Sequence, residues 1–211
     1  TEGTMPSSQS WKSVCYGNYY STNGINWNKI NFPNTSISPY RCLYYANNIY
    51  IAVSAKNTSD FSYSTDGINW TVGNMPSSQY WKAICYGNGK FIIVADGSTK
   101  FAYSTDGINW TEGNMPSSQY WVNICYGNNA FAAAATNSAS QFYYSFDGIN
   151  WKTHDTPNKE PINCILYNNS KFIGLTYTNS KYKRFEMTIN PVKKSTTSAW
   201  FVVDDSKLGE Y

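Results

Sequence analysis

Tyr63-Ser-Thr-Asp-Gly-Ile-Asn-Trp70 returns letter for letter at Tyr103 to Trp110. Two further copies, Tyr20-Ser-Thr-Asn-Gly-Ile-Asn-Trp27 and Tyr144-Ser-Phe-Asp-Gly-Ile-Asn-Trp151, each carry one change. The closing tryptophans lie 43, 40 and 41 residues apart. A period of this size marks a chain built from supersecondary units, each of which buries its apolar faces only against its neighbours.

Residues Trp81 to Asn114 show one unit. Trp81-Lys-Ala-Ile-Cys-Tyr86 is aromatic and apolar, and Gly87-Asn-Gly89 is a tight turn that accepts positive φ. Lys90-Phe-Ile-Ile-Val-Ala95 is a nearly continuous apolar run, as expected of a strand packed on both faces. Asp96 to Thr99 turns the chain, Lys100 to Ser104 is a third strand, Thr105-Asp-Gly107 a second tight turn, and Ile108 to Thr111 a fourth strand. Gly113 to Gln119 then crosses to the next unit, with Pro116 interrupting strand pairing. No stretch has a helical period.

Four antiparallel strands per unit, repeated radially, predict an all-β fold, a β-propeller of five four-stranded blades in a single domain. The units run approximately 1–27, 28–70, 71–110, 111–151 and 152–211, the first and last irregular. The first passes from Cys15-Tyr-Gly-Asn18 almost directly into its turn, omitting about 13 residues that other units use for a second strand. The last lacks the repeated motif and ends through Ala199-Trp-Phe-Val-Val203. Thr1-Glu-Gly-Thr-Met-Pro-Ser-Ser-Gln9 matches Thr111 to Gln119, which follows directly on Trp110. The strand before Thr1 is therefore expected in a longer protein with which this piece associates. Thr1 to Met5 is expected beside the last strand.

Composition narrows the function. Only 14% of the 211 residues are charged and 18% are aromatic, so Asn, Ser, Thr and Tyr must cover the surface. A net charge of +3 on scattered lysines makes no stripe for phosphates, which argues against nucleic acid. No apolar run is long enough to span a bilayer, so membrane insertion is not expected. Cys15, Cys42, Cys85, Cys125 and Cys164 fall one per unit, at what reads as one equivalent position; an odd number without paired short spacings suits neither a disulfide framework nor a zinc site. Small buried strand residues are expected, with no metal and no cofactor.

The repeated turn resembles the Asp box of sialidase-like propellers found in bacterial and phage surface proteins, written Ser-x-Asp-x-Gly-x-x-Trp. Here one residue fewer separates Asp from Gly, and Asn23 replaces Asp in the first copy. The resemblance implies that Asn23, Asp66, Asp106 and Asp147 lock turns between the third and fourth strands, and that the Trp packs between blades. It also implies a three-arginine carboxylate grip in the sialidases themselves. Arg41 and Arg184 are the only arginines, so that chemistry is not expected. No spacing among the remaining carboxylates makes a catalytic pair, and His154 has no recognisable nucleophile or metal partner, so no catalytic residue is assigned. Polysaccharide hydrolysis would need carboxylates converging at the central opening.

Binding residues are sought on one face, where the links between blades and the links between second and third strands emerge. Met75-Pro-Ser-Ser-Gln-Tyr-Trp81 and Met115-Pro-Ser-Ser-Gln-Tyr-Trp121 repeat there, beside polar loops. Equivalent sites pairing aromatic rings with neutral hydrogen-bonding groups suit sugars and gain by multivalency. The candidates are Gln79, Tyr80, Trp81, Gln119, Tyr120 and Trp121, with Asn57, Lys100 and Asn137 from neighbouring loops. The competing reading is that Trp81 and Trp121 pack between blades and the repeated segment is a rigid connector. The expectation is a non-catalytic carbohydrate-binding propeller on a cell or virion surface. A protein-binding scaffold and a glycoside hydrolase are the rivals.

Overall fold

A computed structural model describes residues 19–20, 28–30, 32–33, 40–136, 141–156, 160–178, 181–190 and 195–196. Strands β1 (Tyr19–Tyr20) and β2 (Asn28–Lys29) form a short antiparallel pair. The first complete sheet is β3 (Tyr40–Ala46), β4 (Ile49–Ser54), β5 (Thr58–Ser64) and β6 (Thr71–Gln79), antiparallel in chain order. The second is β7 (Trp81–Gly87), β8 (Lys90–Ala95), β9 (Ser98–Ser104) and β10 (Thr111–Gln119). The third is β11 (Trp121–Gly127), β12 (Ala130–Ala135), β13 (Gln141–Ser145) and β14 (Lys152–Asp155). A three-stranded sheet follows, β15 (Cys164–Asn168), β16 (Lys171–Thr178) and β17 (Lys181–Met187), and then the pair β18 (Ile189–Asn190) and β19 (Ser195–Thr196). The first strands β3, β7, β11 and β15 pack on one another in turn, which makes them the inner strands of successive blades.

The apolar run of β8 explains why the blades stack. Phe91, Ile93 and Ala95 face the first sheet, in a cluster with Ile51, Val53 and Phe61, while Ile92 and Val94 face the third, with Phe131 and Ala133. All five are fully buried, each contributing roughly 1 to 3 kcal/mol according to size. Two-residue turns close the inner hairpins, with positive φ at Asn47 and Asn48, Asn88 and Gly89, Asn128 and Asn129, and Asn169 and Ser170.

Expectation and structure part in three places. Among the described residues three blades are complete, the fourth has three strands, and the first unit contributes only β1 and β2. Thr1 to Met5 and Ala199 to Val203 lie outside the described residues. Secondly, Gly113 to Gln119 is not a separate crossing but the continuation of the fourth strand, and the interruption of pairing expected at Pro116 takes the form of a bulge within it. The chain bulges between Asn114, opposite Lys100, and Gln119, opposite Ser98, and pairing then resumes. Met115 is buried inside that bulge while Pro116 is exposed, so the missing N–H of proline falls where no partner strand needs it. Thirdly, the cysteines occupy two positions. Cys85 and Cys125 lie opposite Ile92 and Ala132, whereas Cys42 and Cys164 sit two residues earlier in register, opposite Val53 and Leu175. Cys85, Cys125 and Cys164 are unbridged thiols, and burial, aided by neighbouring Cys164, pushes Cys125 up to about 12. Burial that raises the thiol in this way makes Cys85 and Cys125 poor nucleophiles. Cys15 lies outside the described residues.

The repeated turn locks as its residues require. Asp106 Oδ1 accepts from the backbone N–H of Ile108 and Asn109, both at 2.8 Å, and from Ser104 Oγ at 2.8 Å. Its Oδ2 takes the Asn109 amide at 2.8 Å. Gly107, at φ 76°, donates to Ser104 Oγ. Asp66 and Asp147 repeat this network. Asn23 lies outside the described residues. Because Asn69 and Asn109 spend their amides on these carboxylates, their Asn-Trp-Thr sequons are engaged in the turn.

The turns also predict acid sensitivity. The N–H of Asn69, then that of Ile68, hold Asp66 well below the usual carboxylate range. At Asp106 and Asp147 burial acts upward most strongly, but the Asn109 or Asn150 amide and the backbone donors together outweigh it and the net direction is down. Depressed folded-state values mean stability that is present above the unfolded Asp value, about 3.9, and lost as pH falls toward the folded values. The triple variant Asp66→Asn, Asp106→Asn and Asp147→Asn should therefore lose less Tm than the parent between about pH 5 and pH 2. Equal slopes in thermal melts would remove the turns as the source of acid sensitivity.

Candidate functional site

The expected face exists. Gly97 N donates to Gln119 O at 2.9 Å and Ser118 Oγ to Gly97 O at 3.1 Å, so the β8–β9 turn and the end of β10 emerge together. Asp96 N donates to Tyr80 O at 2.8 Å, bringing the crossing between the first two complete blades to the same turn. The Tyr120 ring lies beside Gly97, its Cε1 at 3.7 Å from where a Cβ would be. The Asp96-Gly97 turn is thus flanked by Tyr80 and Tyr120, 48% and 61% exposed at equivalent crossings.

The two tryptophans do not join them. Trp81 and Trp121 are 1% and 0% exposed and pack between blades, Trp81 against Met75, Phe61 and Ile93, Trp121 against Met115, Phe101 and Tyr143. A ring with no open face cannot stack on a sugar, so these two are corrected from binding residues to core residues. The cause is strand alternation. Tyr80 and Tyr120 occupy the single residue between strands and point out, which turns the next residue inward.

The other candidates divide. Gln119 is buried, its Nε2 donating at 2.9 Å to Ser117 Oγ, which meets Tyr143 Oη at 2.7 Å. It braces the seam between blades and offers nothing outward. Gln79, opposite Thr58, is half-buried, and Asn57 is exposed on the β4–β5 loop. Lys100 pairs with Glu112, which also accepts from Ser77 Oγ of the preceding blade. Its ammonium therefore ties outer strands together. Asn137 lies outside the described residues.

One group escaped the sequence reading. Asp96 Oδ2 takes Lys82 Nζ at 2.9 Å and lies 3.6 Å from Arg41 Nη1, reached from the preceding blade. Arg41 and Lys82 hold the same place in successive units, the residue after the first aromatic of the inner strand; Val122 and Asn163 follow in the next two. Superposing the units by their Tyr-Asn turns, rather than by their cysteines, would have shown this.

Three four-stranded antiparallel sheets stacked through their inner strands define a β-propeller. The chain belongs to the DUF6242 β-propeller domain family, whose match covers residues 21–208. No curated protein matches it. Among solved structures, a catalytically inactive virginiamycin B lyase from Staphylococcus aureus with quinupristin is similar at TM-score 0.70 and 14% identity, over 84% of this chain and 59% of that one. A streptogramin B lyase is similar at TM-score 0.71 and 12% identity, over 91% and 70%. YCF48 from Cyanidioschyzon merolae is similar at TM-score 0.59 and 15% identity, over 86% and 62%. The chain thus spans less than two thirds of the virginiamycin B lyase and of YCF48. At these identities the likeness is one of fold alone.

Proposed function

We propose that this domain is a non-catalytic binding module and that its ligand is a glycan held against Tyr80 and Tyr120. The observation that carries the reading is the exposure of these two rings at equivalent crossings, with one turn between them. Exposed tyrosines at equivalent positions on a surface poor in charge offer a partner an apolar face together with a polar tip. Sugars offer C–H faces to the rings and hydroxyls to neutral groups nearby, such as Asn57 and Ser118. Engagement of the carboxylates elsewhere favours binding without hydrolysis: Asp66, Asp106 and Asp147 in turns, Glu112 and Glu186 in ion pairs. A glycan ligand fits display on a cell or virion surface, in association with the rest of a longer protein.

A glycan array scored for both binding and cleavage tests this. The double variant Tyr80→Ala, Tyr120→Ala should lose at least about tenfold in affinity for any glycan retained, since an anchoring ring carries upward of about 1 kcal/mol. Its Tm should stay close to the parent's. Cleavage without dependence on either tyrosine would move the function to the carboxylates instead.

A protein-binding scaffold is the second reading. Ile68, Ile108 and Ile149, 54%, 36% and 39% exposed, recur on the three turns between third and fourth strands. Binding that survives excess free sugar and is lost in Ile68→Ser, Ile108→Ser, Ile149→Ser would establish it.

A further inference from the structure

Building on the glycan reading, we infer that the ligand is an acidic saccharide whose carboxylate is taken by Arg41 and Lys82 while its ring lies against Tyr80 or Tyr120. Two cations share one carboxylate here. Asp96 hydrogen-bonds Lys82, but at 3.6 Å it is too far from Arg41 for a hydrogen bond. Arg41 is 32% exposed and its guanidinium makes no hydrogen bond to Asp96, and a planar guanidinium matches a second carboxylate in bidentate fashion. Lys82, 22% exposed, adds a second donor whose desolvation is already partly met by Asp96.

The charge is local. Exposed Lys56 stands on the β4–β5 turn of the blade that carries Arg41, whereas Val122 and Asn163 occupy the Arg41 position in the blades beyond. Asp60, near the start of β5 in the blade of Arg41, and Asp96 are carboxylates at this end, and Glu160 stands at the crossing into the last described blade. Arg41 and Lys82 therefore bring two cations to the one Asp96 carboxylate where the first two complete blades meet, the same place as Tyr80. Asp96 joins the two parts of the site: its carboxylate holds the cations and its N–H donates to Tyr80 O, with Gly97 and the Tyr120 ring one residue on.

The test pairs each acid with its own neutral form. Oligogalacturonate, hyaluronan oligosaccharides and sialyllactose are titrated beside their carboxyl-reduced counterparts at low salt. At least one acid should bind about tenfold or more tighter than its reduced form, a preference that added salt erodes. Arg41→Ala should weaken the acid more than its reduced form and so cut the preference severalfold, Lys82 holding what remains; Arg41→Lys, which keeps the charge without the fork, should restore only part of the loss. Tyr80→Ala should weaken acid and reduced form alike. Equal affinity for an acid and its reduced form, both dependent on Tyr80, would overturn the acidic assignment and leave the glycan reading intact. A preference undiminished in Arg41→Ala would overturn the assignment of the cations. Binding of no glycan at all would overturn both readings. Should Arg41→Ala fail to fold, the comparison of acid with reduced form on the parent chain still decides.

Discussion

Trp121→Ala should lower the unfolding free energy by about 3 to 5 kcal/mol, the range for a Trp removed from a core. The ring is 0% exposed, meets Tyr143 edge-on at a centroid distance of 4.7 Å, and donates from Nε1 to Ser98 O of the preceding blade at 2.9 Å. Truncation would empty a cavity between two blades and leave that carbonyl without its donor. Trp81→Ala removes an equivalent ring, but Trp81 Nε1 has no hydrogen-bond partner among the described residues. Trp81→Ala should accordingly cost less than Trp121→Ala by about one hydrogen bond, roughly 1 kcal/mol. Urea titrations at fixed pH measure both. The neighbouring Tyr120→Ala should change stability by about 0.5 kcal/mol or less, as surface substitutions do. A small loss for Trp121→Ala and a large one for Tyr120→Ala would invert the assignment of core and surface on which the candidate site depends.

The internal repeat made most of the fold legible, for physical reasons. Asn-Gly turns, the two-sided apolar run of β8 and a Gly in each box are local signals, and local hydrogen bonding fixes what they build. The inward turn of Trp81 and Trp121 depends on which face of a strand each residue takes. That is settled by the residue before it, and the units carry the clue. The tryptophan position holds Tyr40 in one unit and Ile162 in another, always large and apolar, while the preceding position holds Tyr80, Tyr120 or Pro161. A sugar platform would not accept Ile, whereas a core does. The Arg41, Lys82 and Asp96 group was hidden differently. Asp96 lies 14 residues from Lys82 and reaches a cation on another blade, a contact set by how blades stack rather than by any spacing within one. The cysteines misled because similarity of type was taken for equivalence of register, and a shift of two residues keeps a side chain on the same face.

Gly148→Ala should cost about 2 to 4 kcal/mol, combining left-handed backbone strain with overpacking. Gly148 has φ 76°, and a Cβ there would stand 2.8 Å from Ile92 Cδ1 of the preceding blade and 3.1 Å from Phe131 Cε2 of its own. Both neighbours are fully buried, so neither can move without disturbing the core between blades. Gly107 has the same relation to Ile49 and Ile51, each at 3.0 Å, so the repeated turn is also the point where one blade docks on the one before it. Gly89→Ala separates the two contributions, because Gly89 has φ 69° but, its chain neighbours aside, no described residue has an atom within 4 Å of its would-be Cβ. It should cost only the backbone strain, about 1 to 2 kcal/mol. Ile92→Ala combined with Gly148→Ala completes the argument: removing the methyl that the new Cβ meets should make the pair of substitutions less costly than their sum, by about 0.5 to 3 kcal/mol. Strict additivity would mean that the turn does not dock on β8, and that the glycine is kept for its dihedral angle alone.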